Sequence, residues 1–360
     1  MPLEQSKKIT ENQKLPPVIS RRTKSMISII LNRPDTLNSL NIKMIDVIAG
    51  YLKSALDDKK CSFILFYGNG GRGFCAGGDV KELTQNVREN AYTKVNLFFK
   101  KEYALDLMIH NSPKPIVVIA DGITMGGGLG IAAGAGIVIA TEKTLMAMPE
   151  TKIGFFPDVG ATGWLFSKCP RGYPEYLGLT GYDMSGFECV RLGLATHFMN
   201  SKNIPELIET LEKFDSGEKL NRDVLKQEII GKISKFIDFN ISTNKDMDEW
   251  VAKYFAGKSD LKNILDSLTK CGQQQKLCDG VFASIAERSP TALVLTLKLL
   301  RHNEGRQLLE VFSAELKAAC FLTKHHDYLE GVRARILDRD DKPQWRPDKI
   351  DQVDLAAFRL

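Results

Sequence analysis

Four stretches of the chain combine residue types that do chemistry with spacings that can aim them. Gly73-Phe74-Cys75-Ala76-Gly77-Gly78-Asp79-Val80 and Met125-Gly126-Gly127-Gly128 are dense in glycine. Glycine lets the backbone approach a ligand closely and leaves N–H groups free to point at it. Two such donors aimed at one carbonyl make an oxyanion hole, although either cluster read alone is also an ordinary tight turn. Met148-Pro149-Glu150-Thr151-Lys152-Ile153-Gly154-Phe155-Phe156-Pro157-Asp158 sets two carboxylates on a stretch stiffened by two prolines and filled with apolar side chains. Acids held beside an apolar pocket suit general base, general acid or nucleophilic work; on a surface, Glu150 would cap a helix and Asp158 would open a turn. Tyr328-Leu329-Glu330-Gly331-Val332-Arg333, with Trp345 beyond, reads as a helix terminus stapled by ion pairs.

Other chemistries lack their signatures. The five histidines, His110, His197, His302, His325 and His326, show neither HxxxH nor HExxH spacing, so no metal site is expected. No GxSxG elbow and no GxxxxGK[ST] loop occurs, which disfavours a serine thioesterase and phosphate cradling. The seven cysteines never fall at CxxC spacing, so free thiols in a reducing compartment are expected. Against 44 acidic residues stand 49 basic ones spread along the chain, a net charge of +5 that forms no basic stripe and gives nucleic acid little to bind. Apolar runs such as Ile116 to Ala120 are far too short to cross a bilayer, so no membrane span is expected.

The elements that must hold these residues alternate between strand and helix. Met26 to Leu31 is a β-branched apolar run stopped by Asn32-Arg33-Pro34, and Ser62 to Tyr67 and Ile116 to Ala120 are near-continuous apolar strands, each running into a glycine loop. Between them Ile45, Ile48, Leu52 and Leu56 recur at helical spacing, leaving Asp46, Lys53 and Asp57 to solvent. Repeated strand, glycine loop and helix argue for an α/β core with its site at strand ends. Past about residue 200 helical patterns dominate, among them 204–214, 291–300 and 306–321, with Ser289-Pro290 as an N-cap and first helical residue. With 360 residues there is chain enough for a large core. The expected division is a tail or weak targeting segment over 1–24, a core over 25–200 and a helical region over 201–360 packing on it. The tail carries Lys7, Lys8, Lys14, Arg21, Arg22 and Lys24 but no apolar secretory region, and Pro16-Pro17 interrupts any amphipathic presequence helix. Phe358-Arg359-Leu360 is a weak match to a peroxisomal address.

Asn32-Arg33-Pro34 with Leu37-Asn38-Ser39-Leu40, Phe74 to Asp79, Gly126 to Gly128 and Pro149-Glu150, in that order, resemble the crotonase (enoyl-CoA hydratase/isomerase) superfamily. Glu102-Tyr103, Phe155 to Gly160, and Glu330 to Ala334 with Asp338, Asp340, Pro343 and Trp345 resemble its 3-hydroxyisobutyryl-CoA hydrolase branch. The resemblance implies a ββα spiral core with a mostly helical C-terminal part. It implies thioester chemistry with Gly78 and Gly127 as oxyanion donors, Glu150 and Asp158 as the working carboxylates, and Glu102 as a second contact to the acyl group. Coenzyme A, part of the substrate, would lie along Thr36, Leu37, Ser39 and Ala76, and no further cofactor is expected. Enoyl-CoA hydratases carry a glutamate two residues after their third glycine, a place held here by Gly130, and a glycine where this chain has Asp158. The resemblance therefore implies hydrolysis of a short 3-hydroxyacyl-CoA, with hydration or isomerisation of an enoyl-CoA, or a non-catalytic scaffold binding RNA or a partner, as the rival readings. It also implies a mitochondrial matrix location, with peroxisome and cytoplasm as alternatives, and a protein that binds acyl-CoA and can form homo-oligomers.

Overall fold

The computed structural model describes residues 16–215 and 221–360. Its strands form two sheets. The larger runs in the order β1 (Val18–Thr23), β2 (Met26–Leu31), β3 (Phe63–Gly68), β5 (Ile116–Ala120), β7 (Ile137–Ala140), β10 (His197–Met199) and β11 (Ile237–Asp238). The smaller runs β4 (Gly73–Cys75), β6 (Ile123–Met125), β8 (Leu145–Ala147) and β9 (Met184–Ser185). From β2 to β10 every neighbouring pair in the larger sheet is parallel. The chain climbs as a spiral: β3 passes into β4, β5 into β6 and β7 into β8, so each turn gives one strand to each sheet before a helix returns. This is the expected ββα core.

Six helices matter most to the site: α1 (Ile42–Asp57), α2 (Val80–Arg88), α3 (Tyr92–His110), α4 (Gly127–Gly134), α5 (Ala161–Lys168) and α6 (Tyr173–Thr180). The side chain of Asn41 caps α1 by accepting from the N–H of Met44, and Ile45, Ile48 and Leu52 are buried as their spacing requires. The parallel strands are apolar at successive positions because both faces are covered. Ile64, Phe66, Val118 and Val138 face α1, α3 and the site, while Phe63, Leu65, Val117, Ile119, Ile137 and Ile139 face the helices over Ile204–Glu212 and Arg222–Ile233. Farther on, Ser289 caps the helix over Pro290–Asn303 by accepting from the N–H of Ala292, and the helix over Leu308–Leu322 opens with a capping box between Gln307 and Glu310.

Two expectations are corrected. Residues 18–23 are not tail: Val18–Thr23 pairs antiparallel with β2, placing Arg21 and Arg22 in a strand. The six-residue register with β2 outweighs the polar composition of the stretch. Lys7, Lys8 and Lys14 lie outside the described residues. The region after 200 is mostly helical, as expected, and within it β11 extends the large sheet antiparallel to β10. Cys271 and Cys278 are bonded as a disulfide with Cα atoms 6.4 Å apart. Cys61, Cys75, Cys169, Cys189 and Cys320 are free, as expected. The bonded pair escaped a search for CxxC because a short turn and the first helical turn over Gln275–Ala286 bring together residues seven apart. Phe358 is buried, with its ring centroid 5.5 Å from that of Phe321. No helix of the described residues is long and apolar enough to cross a membrane.

Candidate active site

The two glycine loops sit at the ends of β4 and β6 and pack backbone against backbone. Gly77 has a left-handed φ of 96°, and a Cβ there would lie 3.2 Å from the Met125 carbonyl oxygen and 3.4 Å from the Gly127 nitrogen. Any side chain at 77 would wedge the loops apart. The segment 37–40 braces the first loop: Ala76 N–H donates to Leu37 O at 3.0 Å, Leu40 N–H to Gly77 O at 2.8 Å, and Asp79 N–H to Leu40 O at 2.7 Å. In this bridge Leu40 engages residues 77 and 79, which turns the N–H of Gly78 to the opposite side. Arg33 locks the brace by donating to Ser39 O at 2.7 Å and pairing with Asp79 at 3.0 Å. Gly127 opens α4, so its N–H belongs to the first turn, which has no acceptor within the helix. Gly78 and Gly127 both line one cavity of about 300 Å³.

Three carboxylates enter that cavity from different elements. Glu102 comes from α3, Glu150 opens a 3-10 turn over Glu150–Ile153, and Asp158 precedes the left-handed Gly160 that starts α5. They are 3%, 9% and 6% exposed, and burial is the main cause pushing the pKa of each above its ordinary value. Asp158 further raises Glu102 and Glu150 by like-charge repulsion. Asp158 itself is raised by burial to about 7, against the opposing pull of Tyr103 OH, which donates to its Oδ2 at 2.8 Å and favours the charged form. Of these acids Asp158 is thus the readiest to ionise. Glu150 Oε2 and Glu102 Oε1 are buried with no protein partner among the described residues. Phe98, Phe99, Phe155 and Tyr328 build the apolar wall, with Phe99 stacked on Phe155 at 5.4 Å between centroids.

Ala76 lines the cavity, whereas Thr36, Leu37 and Ser39 do not; they lie on the brace outside it, with Thr36 exposed. In the Tyr328 to Arg333 stretch the expected ion pairs are present, with Arg333 pairing with Glu330, Asp338 and Asp340. Its first residue, Tyr328, nevertheless lines the cavity, as do Arg335 and Ile336 beyond it. Position 130 is walled in, since a Cβ there would lie 2.7 Å from Val159 Cβ and 3.0 Å from Asp106 Oδ2.

Sequence reasoning assigned no role to Tyr103, Asp106 or Glu315. Glu315, from the helix over Leu308–Leu322, accepts from Gly160 N–H at 2.6 Å and Thr162 N–H at 3.1 Å, pinning the turn that carries Asp158. Acids at apolar positions of helical patterns were the available signal, visible at Glu102 and Asp106 among Phe98, Phe99, Leu105 and Ile109. Among the described residues no three His, Cys, Asp or Glu side chains converge closely enough to hold a metal ion.

Residues 26–359 match the family model described as enoyl-CoA hydratase/isomerase. A mitochondrial 3-hydroxyisobutyryl-CoA hydrolase of Gallus gallus is 36% identical over 90% of this chain and 83% of its own length. That of Homo sapiens is 35% identical over the same shares. Among solved structures, a carnitinyl-CoA dehydratase from Mycobacterium thermoresistibile superposes with a TM-score of 0.84 at 29% identity, covering 95% of both chains. An enoyl-CoA hydratase from Rhodobacter sphaeroides 2.4.1 superposes with a TM-score of 0.82 at 29% identity, covering 94% of this chain and 95% of its own.

Proposed function

The chain belongs to the enoyl-CoA hydratase/isomerase family, and on that footing we propose that it hydrolyses 3-hydroxyisobutyryl-CoA to the free acid and CoA, the reaction for which its hydrolase relatives are named. It is, like them, a mitochondrial enzyme, and the reaction belongs to valine breakdown. One observation favours this over hydration: the place where a hydratase keeps its first glutamate is Gly130, closed off by Val159 and Asp106, while Asp158 stands in the cavity with Glu150. The carboxylate pair has moved along the chain.

The N–H groups of Gly78 and Gly127 take the thioester oxygen, and they stabilise the charge that grows there as the carbonyl is attacked. Glu150 then either draws a proton from an attacking water or attacks the carbonyl itself, forming an anhydride that water opens. Asp158 has one oxygen held by Tyr103, and it turns the other to the 3-hydroxyl of the substrate or to the water. Glu102 contacts the acyl group from α3. The small apolar cavity takes a short branched acyl group, with the CoA moiety leaving past Ala76 along Thr36, Leu37 and Ser39.

Thiol release measured on (S)-3-hydroxyisobutyryl-CoA, 3-hydroxypropionyl-CoA and crotonyl-CoA, beside loss of crotonyl absorbance, tests the reading. Rapid thiol release from the two hydroxyacyl esters and no hydration of crotonyl-CoA are expected, including from Gly130→Glu. Crotonyl-CoA hydration without thiol release would overturn it.

A further inference from the structure

A second cavity, of about 530 Å³, lies between the C-terminal ends of α3, α4 and α5 and the start of the helix over Leu308–Leu322. It has no lining residue in common with the acyl cavity. Its wall is of two kinds. Trp164, Phe166, Leu308 and Val311 are apolar, Lys168 and Arg306 are cations, and no acidic side chain of the described residues lines it.

Both cations are short of counter-charge. Lys168 is half-buried, yet its ammonium makes no ion pair among the described residues. Burial lowers its pKa and the like charge of Lys226 lowers it further, with the Cys169 thiol pulling the other way. A cation so placed gains from any anion brought beside it. Arg306 donates through Nε to His302 O at 2.6 Å and stands 3.8 Å from the Glu310 carboxylate, too far for a hydrogen bond. Its fork therefore keeps N–H donors to offer. His110, kept neutral because burial lowers it to about 4, adds a ring to the wall and no charge.

We propose that this second cavity binds an amphipathic carboxylate, a small organic acid whose charged end lies at Lys168 and Arg306 and whose hydrocarbon body covers Trp164, Phe166, Leu308 and Val311. Ammonium and guanidinium donors make charge-assisted hydrogen bonds to a carboxylate, about twice as strong as neutral ones. The apolar wall gives a body of several carbons area to bury, in a cavity of the size that small ligands use. Inorganic phosphate fits less well, because part of its oxygen surface would face that wall and find no donor. The site stands apart from the thioester reaction, so its failure would leave the hydrolase reading intact.

Calorimetric titration of the full-length protein with hexanoate, hexanamide and inorganic phosphate tests the site. Hexanoate should bind saturably, and its Kd should rise by about tenfold or more in Lys168→Gln and in Arg306→Gln, each of which removes a charged donor. Hexanamide, matched in shape but uncharged, and phosphate, charged but without the hydrocarbon body, should each bind at least about tenfold more weakly than hexanoate. Glu150→Gln, in the other cavity, should leave the hexanoate Kd unchanged. No hexanoate binding to the unmodified protein, or an unchanged Kd in either cation variant that folds, overturns the site. A Kd that moves in Glu150→Gln instead would put the acid in the acyl cavity and overturn it equally. Hexanamide or phosphate binding as tightly as hexanoate overturns the assignment to a carboxylate. Should Lys168→Gln not fold, Arg306→Gln, at an exposed position, decides alone.

Discussion

The two faces of the seven-stranded sheet are built on opposite terms. On the outer face Phe63, Leu65, Val117, Ile119, Ile137 and Ile139 meet Leu207, Leu211, Leu225, Ile229 and Ile233, and no charged side chain of the described residues in 204–233 is buried. On the inner side Glu102, Asp106, Glu150, Asp158 and Glu315 are all buried, and among the described residues none pairs with a cation. Burying a carboxylate is expensive unless it stays protonated or finds donors. Asp158 and Glu315 find donors in Tyr103 and in the 160–162 backbone, whereas Asp106 finds none among the described residues. The outer face stabilises the fold, and the inner side spends part of that stability on chemistry.

If this division holds, inner-side changes should cost rate and outer-face changes should cost stability. The largest effect is expected from Glu150→Gln, which keeps the shape but removes both basicity and nucleophilicity: kcat for thiol release should fall by about a thousandfold, with acyl-CoA affinity within a few fold. Turnover above about a tenth of wild type would remove Glu150 from the reaction. Gly127→Val comes next. It drives a side chain into Glu102 and displaces an oxyanion donor, so turnover should drop by about a hundredfold in a protein that remains folded by circular dichroism. Normal hydrolysis would reduce that loop to a turn.

Asp158→Asn should cost 3-hydroxyisobutyryl-CoA turnover more than that of the ester lacking the hydroxyl, by about 1–3 kcal/mol. Equal losses on the matched pair would assign Asp158 to water or Glu150 alone. The same variant has a pH signature. Asp158 is raised from 3.8 to about 7 in the folded protein, so its contribution to stability is complete below about pH 4 and is lost as pH rises through about 7. Melting temperatures of wild type should therefore decline over that range more steeply than those of Asp158→Asn, and parallel curves would contradict the shift. The smallest effect is on the outer face: Ile229→Val should lower stability by about 1 kcal/mol and leave kcat/KM unchanged. A loss of rate there would mean that the two faces are coupled.

The sequence by itself determined what lies within a few residues' reach. Met26–Leu31 and Ile116–Ala120 form strands because runs of β-branched residues fit a sheet covered on both faces, and α1 forms where apolar residues recur at helical period. The glycine loops and the Glu150 and Asp158 segment stood out for the same local reason: each motif lies in one short stretch of chain. Only the tertiary structure decided what those residues meet. Tyr103 reaches Asp158 across 55 residues of chain, Glu315 pins Gly160 across 155, and Gly130 fronts Asp106 because two helices cross there. Val18–Thr23 became a strand by pairing, and Cys271 reached Cys278 through a turn. Local periodicity fixes which way a side chain points on its own element, but which partner waits there depends on how distant elements pack, and burial and partner together set the charge state that the chemistry uses.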